Sequence, residues 1–253
     1  ISSRLGQKNQ NEANNVVTNG IIITFIVGLI MNICVYFVAK PFIGSFTTDK
    51  EIFDFAMIYL KTFSFAGIPC TVHICIQKII QGTGNMIAPM CFQIAGVIFN
   101  FAFDPIFIFG LFGFPQLGVK GAAIASVGGY TLSMILAFYV LIFTKQKVKL
   151  SIKDFKFDVK IAKDIFILGF PSVVMNALGA FMTYFANIFL VKYSTTAVAF
   201  FGAYFKIQQV IIMTLNGLIQ GCIPIMSYNF GAKKVKRTRE TFRLGTIIGI
   251  ILT

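Results

Sequence analysis

The stretch Asn100-Phe-Ala-Phe-Asp104-Pro105 lies in a run from Ile79 to Gly118 in which Asp104 is the sole charged residue. A run of that length and apolarity reads as a membrane helix. An ionised carboxylate near a bilayer centre costs about 2.5–3.5 kcal/mol on insertion scales, so such a group faces a cavity or a partner. Asn100 comes four residues earlier and falls on the same helical face as Asp104. Pro105 has no N–H for the carbonyl of Phe101 and its ring crowds that oxygen, so the helix is expected to kink there. A carboxylate, an amide oxygen and a freed carbonyl would then share one small volume. Hard oxygen ligands of this kind suit a proton or a small cation such as Na+. The competing assignment is that Asp104 merely caps or pairs inside the bundle.

Composition agrees with the membrane assignment. The chain has 253 residues, 57% hydrophobic and 12% charged, with a mean hydropathy of +0.81. A soluble domain is about 25% charged, so this composition belongs to an integral membrane protein. The chain opens on Ile and a polar segment with no signal peptide, and its last apolar run, from Leu244, stops soon after it starts. It reads as an internal piece of a longer, transporter-sized protein. The five cysteines are scattered and form no Cys-x-x-Cys pair, so neither a disulfide framework nor a metal site is expected. Cys70-x-x-His73-x-Cys75 is better explained by small buried side chains in a membrane helix than by a metal cluster.

Working outward, residues 1–15 read as a polar loop, and Val16 to Ala39 as an uncharged span ended by Lys40-Pro41. The next helix is expected from Ile52 to Ile80 with Pro69 inside it. Lys61 lies within it and either binds a ligand or, the preferred reading, snorkels to the interface. Gln81-Gly-Thr-Gly-Asn85 and Gly113-Phe-Pro-Gln-Leu-Gly118 are turn signals on either side of the Asn100/Asp104 helix, which should end near Phe112. The following span, Gly121 to Thr144, begins Gly121-Ala-Ala-Ile-Ala-Ser126, small enough for close helix packing.

Residues 145–163 change character. Lysines 145, 147, 149, 153, 156, 160 and 163 are interleaved with Ile, Phe and Val, which predicts a linker with an amphipathic surface helix and the best internal boundary. Ile165 to Val191 is the next span, bent at Pro171. A loop at 192–196 leads to a helix from about Ala197 to Met226, and a basic loop at 231–240 precedes the last span.

Sixteen of the 22 Lys and Arg residues fall at 1–15, 78–86, 145–163 and 233–243, and the alternate loops hold four. This bias places the rich loops in the cytoplasm. The formal net charge of +13 is therefore topological, and no nucleic-acid partner is expected.

An internal echo accompanies this topology. Ser2 to Thr24 aligns with Ser227 to Gly249 at a constant offset of 225, matching Ser2/Ser227, Gly6/Gly231, Lys8/Lys233, Gly20/Gly245, Ile22/Ile247 and Ile23/Ile248. Both segments are loops entering a span from the same side. A repeat of that length implies two parallel lobes related by an axis along the membrane normal.

Several stretches together resemble the multidrug and toxic compound extrusion (MATE) transporters. They are Ser3-Arg-Leu-Gly6, Gln81-Gly-Thr-Gly-Asn85, Asn100-x-x-x-Asp104-Pro105, Gly118-Val-Lys-Gly-Ala-Ala123, Gly169-Phe-Pro171, and Gln220-Gly-Cys-Ile-Pro224 running into Ser227-Tyr-Asn-Phe-Gly-Ala-Lys233. The resemblance covers essentially the whole chain. It implies an all-α, polytopic transmembrane bundle that is part of a twelve-helix, two-lobe transporter, from the loop after helix 2 into helix 9. Residues 1–144 would then be the N-lobe portion with about four spans, 145–163 a cytoplasmic linker, and 164–253 the C-lobe portion with two spans and part of a third.

The resemblance further implies Na+ or H+ antiport of amphipathic, often cationic compounds by alternating access, in a bacterial-type cytoplasmic membrane. Asn100 and Asp104 map onto a cation-coupling site in the N-lobe, and Ser126 is the nearest candidate for a hydroxyl that often joins it. One branch of the family carries a Glu about eight residues after the Gly-x-Pro; here that position is Gly179, and no Asp or Glu occurs between Ile165 and Arg239. Coupling in the N-lobe is therefore favoured.

For a substrate cavity, Asn176, Gln208 and Gln209 are the stronger candidates because buried amides need partners. Tyr204 and Met213, like Phe181, Met182 and Tyr184, would either line an adaptable cavity or face lipid. No cofactor beyond the coupling ion is implied; the partners are the bilayer and small amphipathic substrates, and the protein would act as a monomer. The alternative on the same fold is a flippase for a lipid-linked saccharide, which would want a groove lined by cations, with Lys61 and Lys206 available. A membrane enzyme is disfavoured because His73 has no catalytic partners in a plausible motif, and a channel because filter-like rings are absent.

Overall fold

The structure, a computed structural model, describes residues 1–45, 47, 49–150, 157–191 and 194–252. Among them nine α-helices follow one another: α1 (Ser2–Gly6), α2 (Gln10–Gly44), α3 (Lys50–Ser64), α4 (Gly67–Gly82), α5 (Ile87–Phe109), α6 (Val119–Phe143), α7 (Val159–Val191), α8 (Thr195–Gly231) and α9 (Val235–Leu252). Five of them, α2 and α5–α8, are long and apolar enough to cross a membrane, and the bent pair α3–α4 makes up to six. Much of that surface is open: Phe101 is 82% exposed, and the apolar window of α7 has no buried residue. Surface of this kind is compatible with lipid and not with water.

Helix ends follow local chemistry. Asp49 accepts from the backbone N–H of Glu51 at 2.9 Å and of Ile52 at 3.3 Å, capping α3. Asp158 does the same for α7, accepting from Lys160 N at 2.8 Å and Ile161 N at 3.3 Å. The C-terminus of α5 closes at Gly110, whose φ of 72° suits a residue without Cβ.

Several expected boundaries move. The polar loop at 1–15 is largely helical, because its Gln, Asn and Glu residues continue α2 beyond the apolar span; Gln10 Nε2 donates to Asn14 Oδ1 at 3.2 Å along the helix. Lys40-Pro41 does not end that helix, which runs on to Gly44. Pro105 and Pro171, expected to bend their helices, each lie inside one continuous helical segment. The helix expected from Ile52 to Ile80 is broken at Phe65–Ala66, where α3 and α4 meet at 48°. Pro69 is then tolerated because it sits in the first turn of α4, where the missing N–H has no intrahelical acceptor.

The described residues cluster into two compact units, Gln10–Phe155 with Ile1, and Ser2–Asn9 with Lys156–Thr253. In the first, α4 lies between α2 and α6, and α5 packs most closely on α6. Its core is built from Val17, Val72, Ile76, Ile80 and Phe92, all 2% exposed or less. The beginning of the basic linker is held on this unit. Gln10 Nε2 donates to Lys147 O at 2.6 Å, Lys149 N donates to Asn14 Oδ1 at 2.9 Å, and Lys147 Nζ donates to Thr83 O at 3.2 Å. Val148 between them is fully buried. The amphipathic helix expected across 145–163 is not present among the described residues; 151–156, with Lys153 and Lys156, lie outside them, and Lys160 and Lys163 belong to the start of α7. The loop expected at 192–196 likewise includes Lys192 and Tyr193, which lie outside the described residues.

In the second unit the offset of 225 is drawn by the backbone. Gln7 N donates to Ser3 O at 3.0 Å, Lys8 N to Leu5 O at 3.0 Å and Asn9 N to Arg4 O at 3.0 Å. At the equivalent positions Ala232 N donates to Tyr228 O at 2.9 Å, Lys233 N to Phe230 O at 3.0 Å and Lys234 N to Asn229 O at 2.8 Å. Lys8 and Lys233 share the left-handed region, with φ of 61° and 57°. The two copies pack on each other through α1 and the end of α8.

Candidate functional site

The α5–α6 pair positions the polar residues of the first unit. Gly96 and Gly129 let the two backbones come together: a Cβ on Gly129 would stand 2.7 Å from the carbonyl oxygen of Gly96. Ser133 Oγ donates across the same seam to Phe92 O at 3.1 Å. Further along, Gly121 lies against the carbonyl of Phe107. With small residues on one side, a seam of this kind sets the axial register of the helices as well as their separation.

That register brings Asn100 on α5 beside Ser126 on α6. Asn100 Nδ2 donates to Ser126 Oγ at 3.2 Å and to Asp104 Oδ1 at 3.4 Å. All three side chains are half-buried. Asn100 thus spends its donors inward, leaving its own Oδ1 and the second carboxylate oxygen of Asp104 as acceptors. No cationic side chain neutralises Asp104 among the described residues. A carboxylate, an amide oxygen and a hydroxyl are therefore gathered on two helices without a built-in counter-charge. Such a group of oxygens can take up a proton or coordinate a small hard cation.

Pro105 follows directly and has no N–H, so the carbonyl of Phe101 keeps no i+4 donor even though the helix is uninterrupted. Phe99, Phe103, Phe107 and Phe114 continue as a ladder of rings with centroids 4.2, 5.5 and 5.5 Å apart.

The residues expected to line a substrate cavity are not gathered in this way. Asn176 Nδ2 donates to Ser172 O at 2.7 Å on its own helix and is exposed. Tyr204 and Met213 are 58% and 63% exposed, Gln209 is exposed, and Gln208 is half-buried. A cavity of about 390 Å³ in the second unit lies between α8 and α9 and is lined by Leu215, Cys222, Met226 and Phe242 among others, but by none of these five. Of the embedded lysines, Lys61 Nζ rests 5.4 Å from the ring centroid of Tyr36, and Lys206 is exposed on α8.

One cluster was not anticipated as a unit. His73 is 4% exposed, its ring centroid is 5.7 Å from that of Tyr130, and Tyr130 lies 6.3 Å from Phe63. The signal available in the sequence was a lone His in an apolar run, together with the four-residue spacing from Ser126 to Tyr130.

A family model described as MatE matches residues 1–106 and 171–253. The multidrug export protein MepA of Staphylococcus haemolyticus is 27% identical over 249 residues, which are 96% of this chain and 53% of that protein. An outward-facing multidrug resistance MATE family transporter of the MOP superfamily superposes with a TM-score of 0.91 at 22% identity, over 100% of this chain and 55% of that one. A MATE in complex with MaD5 does so with a TM-score of 0.90 at 22% identity, over 100% of this chain and 57% of that one. At such identity the likeness is one of fold: an all-helical membrane bundle matching about half of a MATE transporter. The chain spans about half the length of the relatives it matches.

Proposed function

This chain belongs to the MatE family, and on that premise we propose that the full-length protein is a cation-coupled antiporter. It exports amphipathic, often cationic compounds from the cytoplasm by alternating access, in exchange for Na+ or H+. The family is one of multi-pass membrane transporters and not of enzymes. The name of the MepA relatives, multidrug export proteins, supports the direction and the breadth of cargo.

The observation that carries the coupling role is the pair of hydrogen bonds from Asn100 Nδ2 to Ser126 and Asp104. With no counter-ion, Asp104 is costly as an anion in the membrane and is relieved when a cation or proton loads. Loading changes the acceptor strength of Oδ1, and Asn100 transmits that change to Ser126 on the neighbouring helix. The missing bond at Pro105 makes the end of α5 the compliant part of the pair. A ligand that binds one arrangement better than the other shifts the equilibrium by its differential affinity, and inward movement of the cation then resets the outward-facing state. The cargo would be taken by Asn176, Tyr204, Gln208, Gln209 and Met213 of the second unit, whose exposed or half-buried faces are open to an amphipathic ligand.

The test uses the full-length protein in inverted vesicles, wild type against Asp104→Asn, with uptake of a fluorescent cationic dye driven by a Na+ gradient and separately by a pH gradient. The expected result is a variant that folds and binds dye but loses gradient-driven transport, and the gradient that drives wild type identifies the ion. Normal transport by Asp104→Asn would make this residue structural and overturn the coupling role.

A further inference from the structure

His73 is the only histidine in the chain and is 4% exposed, packed in the interior of the first unit. Its Nδ1 makes no hydrogen bond of good geometry, although the carbonyls of Pro69 and Cys70 on its own helix lie near enough to accept from the ring once it is protonated. An ionisable side chain buried at membrane depth is retained for function more often than for packing. Among the described residues no three His, Cys, Asp or Glu side chains converge to hold a metal, which leaves the proton as the ligand this nitrogen suits.

The neighbours divide into those that can titrate and those that cannot. From α6, Tyr130 faces the imidazole with ring centroids 5.7 Å apart and planes at 36°. Tyr59 of α3 and Cys70 of α4 are close enough to Tyr130 to interact with it electrostatically. On α2, which packs on α4, no titratable residue occurs between Glu12 and Cys34. On α5 the titratable residues are Cys91 and Asp104, and the contact of α5 with α4 runs through Gln77 Nε2 donating to Gln93 Oε1 at 2.8 Å. An imidazolium at this position therefore meets no second cation. It meets a tyrosine ring at a distance where a cation is attracted to the π face.

Tyr130 is also four residues from Ser126, so the two share one face of α6, a single turn apart. Asp104 and Ser126 thus share Asn100 as a hydrogen-bond partner, and one turn along α6 Tyr130 faces His73. We propose that His73 is a second proton-binding residue of the transporter, taking up and releasing one proton at Nδ1 in step with Asp104, with Tyr130 holding the charged ring. The proposal rests on the coupling role given to Asp104 and specifies the coupling ion as H+. In the Nε2–H tautomer the Nδ1 lone pair is open. Protonation adds one N–H and one charge, and deprotonation restores the neutral ring, so no other reactant is needed.

The test uses the purified full-length protein in proteoliposomes and in weakly buffered detergent, with tetraphenylphosphonium as the transported cation. Wild type, His73→Gln, Tyr130→Leu and Asp104→Asn are compared. For His73→Gln, tetraphenylphosphonium affinity at alkaline pH stays within about threefold, as glutamine keeps the size and polarity of the site. Proton release on tetraphenylphosphonium binding falls, and the pH profile of transport loses one inflection. For Tyr130→Leu, which removes the ring facing the imidazolium, the inflection moves to lower pH. An unchanged inflection and unchanged proton release in His73→Gln overturn the proposal, as does transport driven by a Na+ gradient with no proton movement. Should His73→Gln fail to fold, an unchanged inflection in Tyr130→Leu overturns it instead. Loss of coupling in Asp104→Asn with no effect at His73 leaves the antiport function standing and removes only His73. Intact coupling in Asp104→Asn removes both.

Discussion

Gly6 and Gly231 hold equivalent places 225 residues apart, and each lies against a backbone carbonyl of the other copy. A Cβ on Gly6 would run into the oxygen of Tyr228, and a Cβ on Gly231 into the oxygen of Ser3, which is itself the equivalent of Tyr228. The contact is reciprocal, as at an interface with a two-fold axis. Backbone cannot retreat as a side chain can, so even a methyl group forces the two turns apart.

Gly6→Ala and Gly231→Ala should each destabilise the second unit by about 1–3 kcal/mol, the usual range for overpacking. A thermal-shift series on the full-length protein in detergent measures this. The double variant should cost less than the sum, because the first substitution already separates the turns. Strict additivity would mean that the two approaches are independent.

Ser126→Ala removes the α6 acceptor of Asn100 Nδ2 and leaves Asp104 Oδ1, at 3.4 Å, as its partner. The expected loss of stability is about 0.5–1.5 kcal/mol, the net worth of one such bond. Gradient-driven transport should fall while dye binding persists, since Asn100 no longer links α5 to α6. Transport measured in parallel with unfolding distinguishes this from simple destabilisation.

The start of the linker is held by two side-chain amides. Gln10→Ala and Asn14→Ala each remove a bond to the backbone at Lys147 or Lys149, and Val148 loses its anchorage. Trypsin should then cut after Lys147 and Lys149 faster than in wild type, by roughly tenfold for a loss of about 1.4 kcal/mol in local opening. A gel time course on folded protein reads the rate. Cleavage at wild-type speed would show that Val148 alone retains the segment.

Pro105→Ala restores an N–H for the carbonyl of Phe101 inside a helix that is already uninterrupted. Because the proline φ is compatible with this helix, the change in stability should stay within about 1 kcal/mol. Transport should nevertheless slow, since the added hydrogen bond stiffens the end of α5 that carries Asp104. Equal transport by the alanine variant would remove Pro105 from the coupling motion.

Much of the architecture was legible along the chain. Apolar runs long enough to span a bilayer, the i,i+4 spacing of Asn100 and Asp104, and the six identities at an offset of 225 are local or one-dimensional properties, readable without knowing what packs on what. Helix limits were less legible. The single helix expected from Ile52 to Ile80 is two helices that meet at Phe65–Ala66, and Pro69 sits in the first turn of the second, where it does no harm.

What tertiary structure alone decided is the company each polar residue keeps. Ser126 reaches Asn100 because Gly96 and Gly129 fix the axial register of α5 on α6. His73 is buried against Tyr130 because α4 packs between α2 and α6. Gly6 has to be small because a carbonyl more than 200 residues away lies against it. Periodicity states which face of a helix is apolar. Register between helices depends on side-chain volumes on both sides of a seam, and those meet only once the chain has folded.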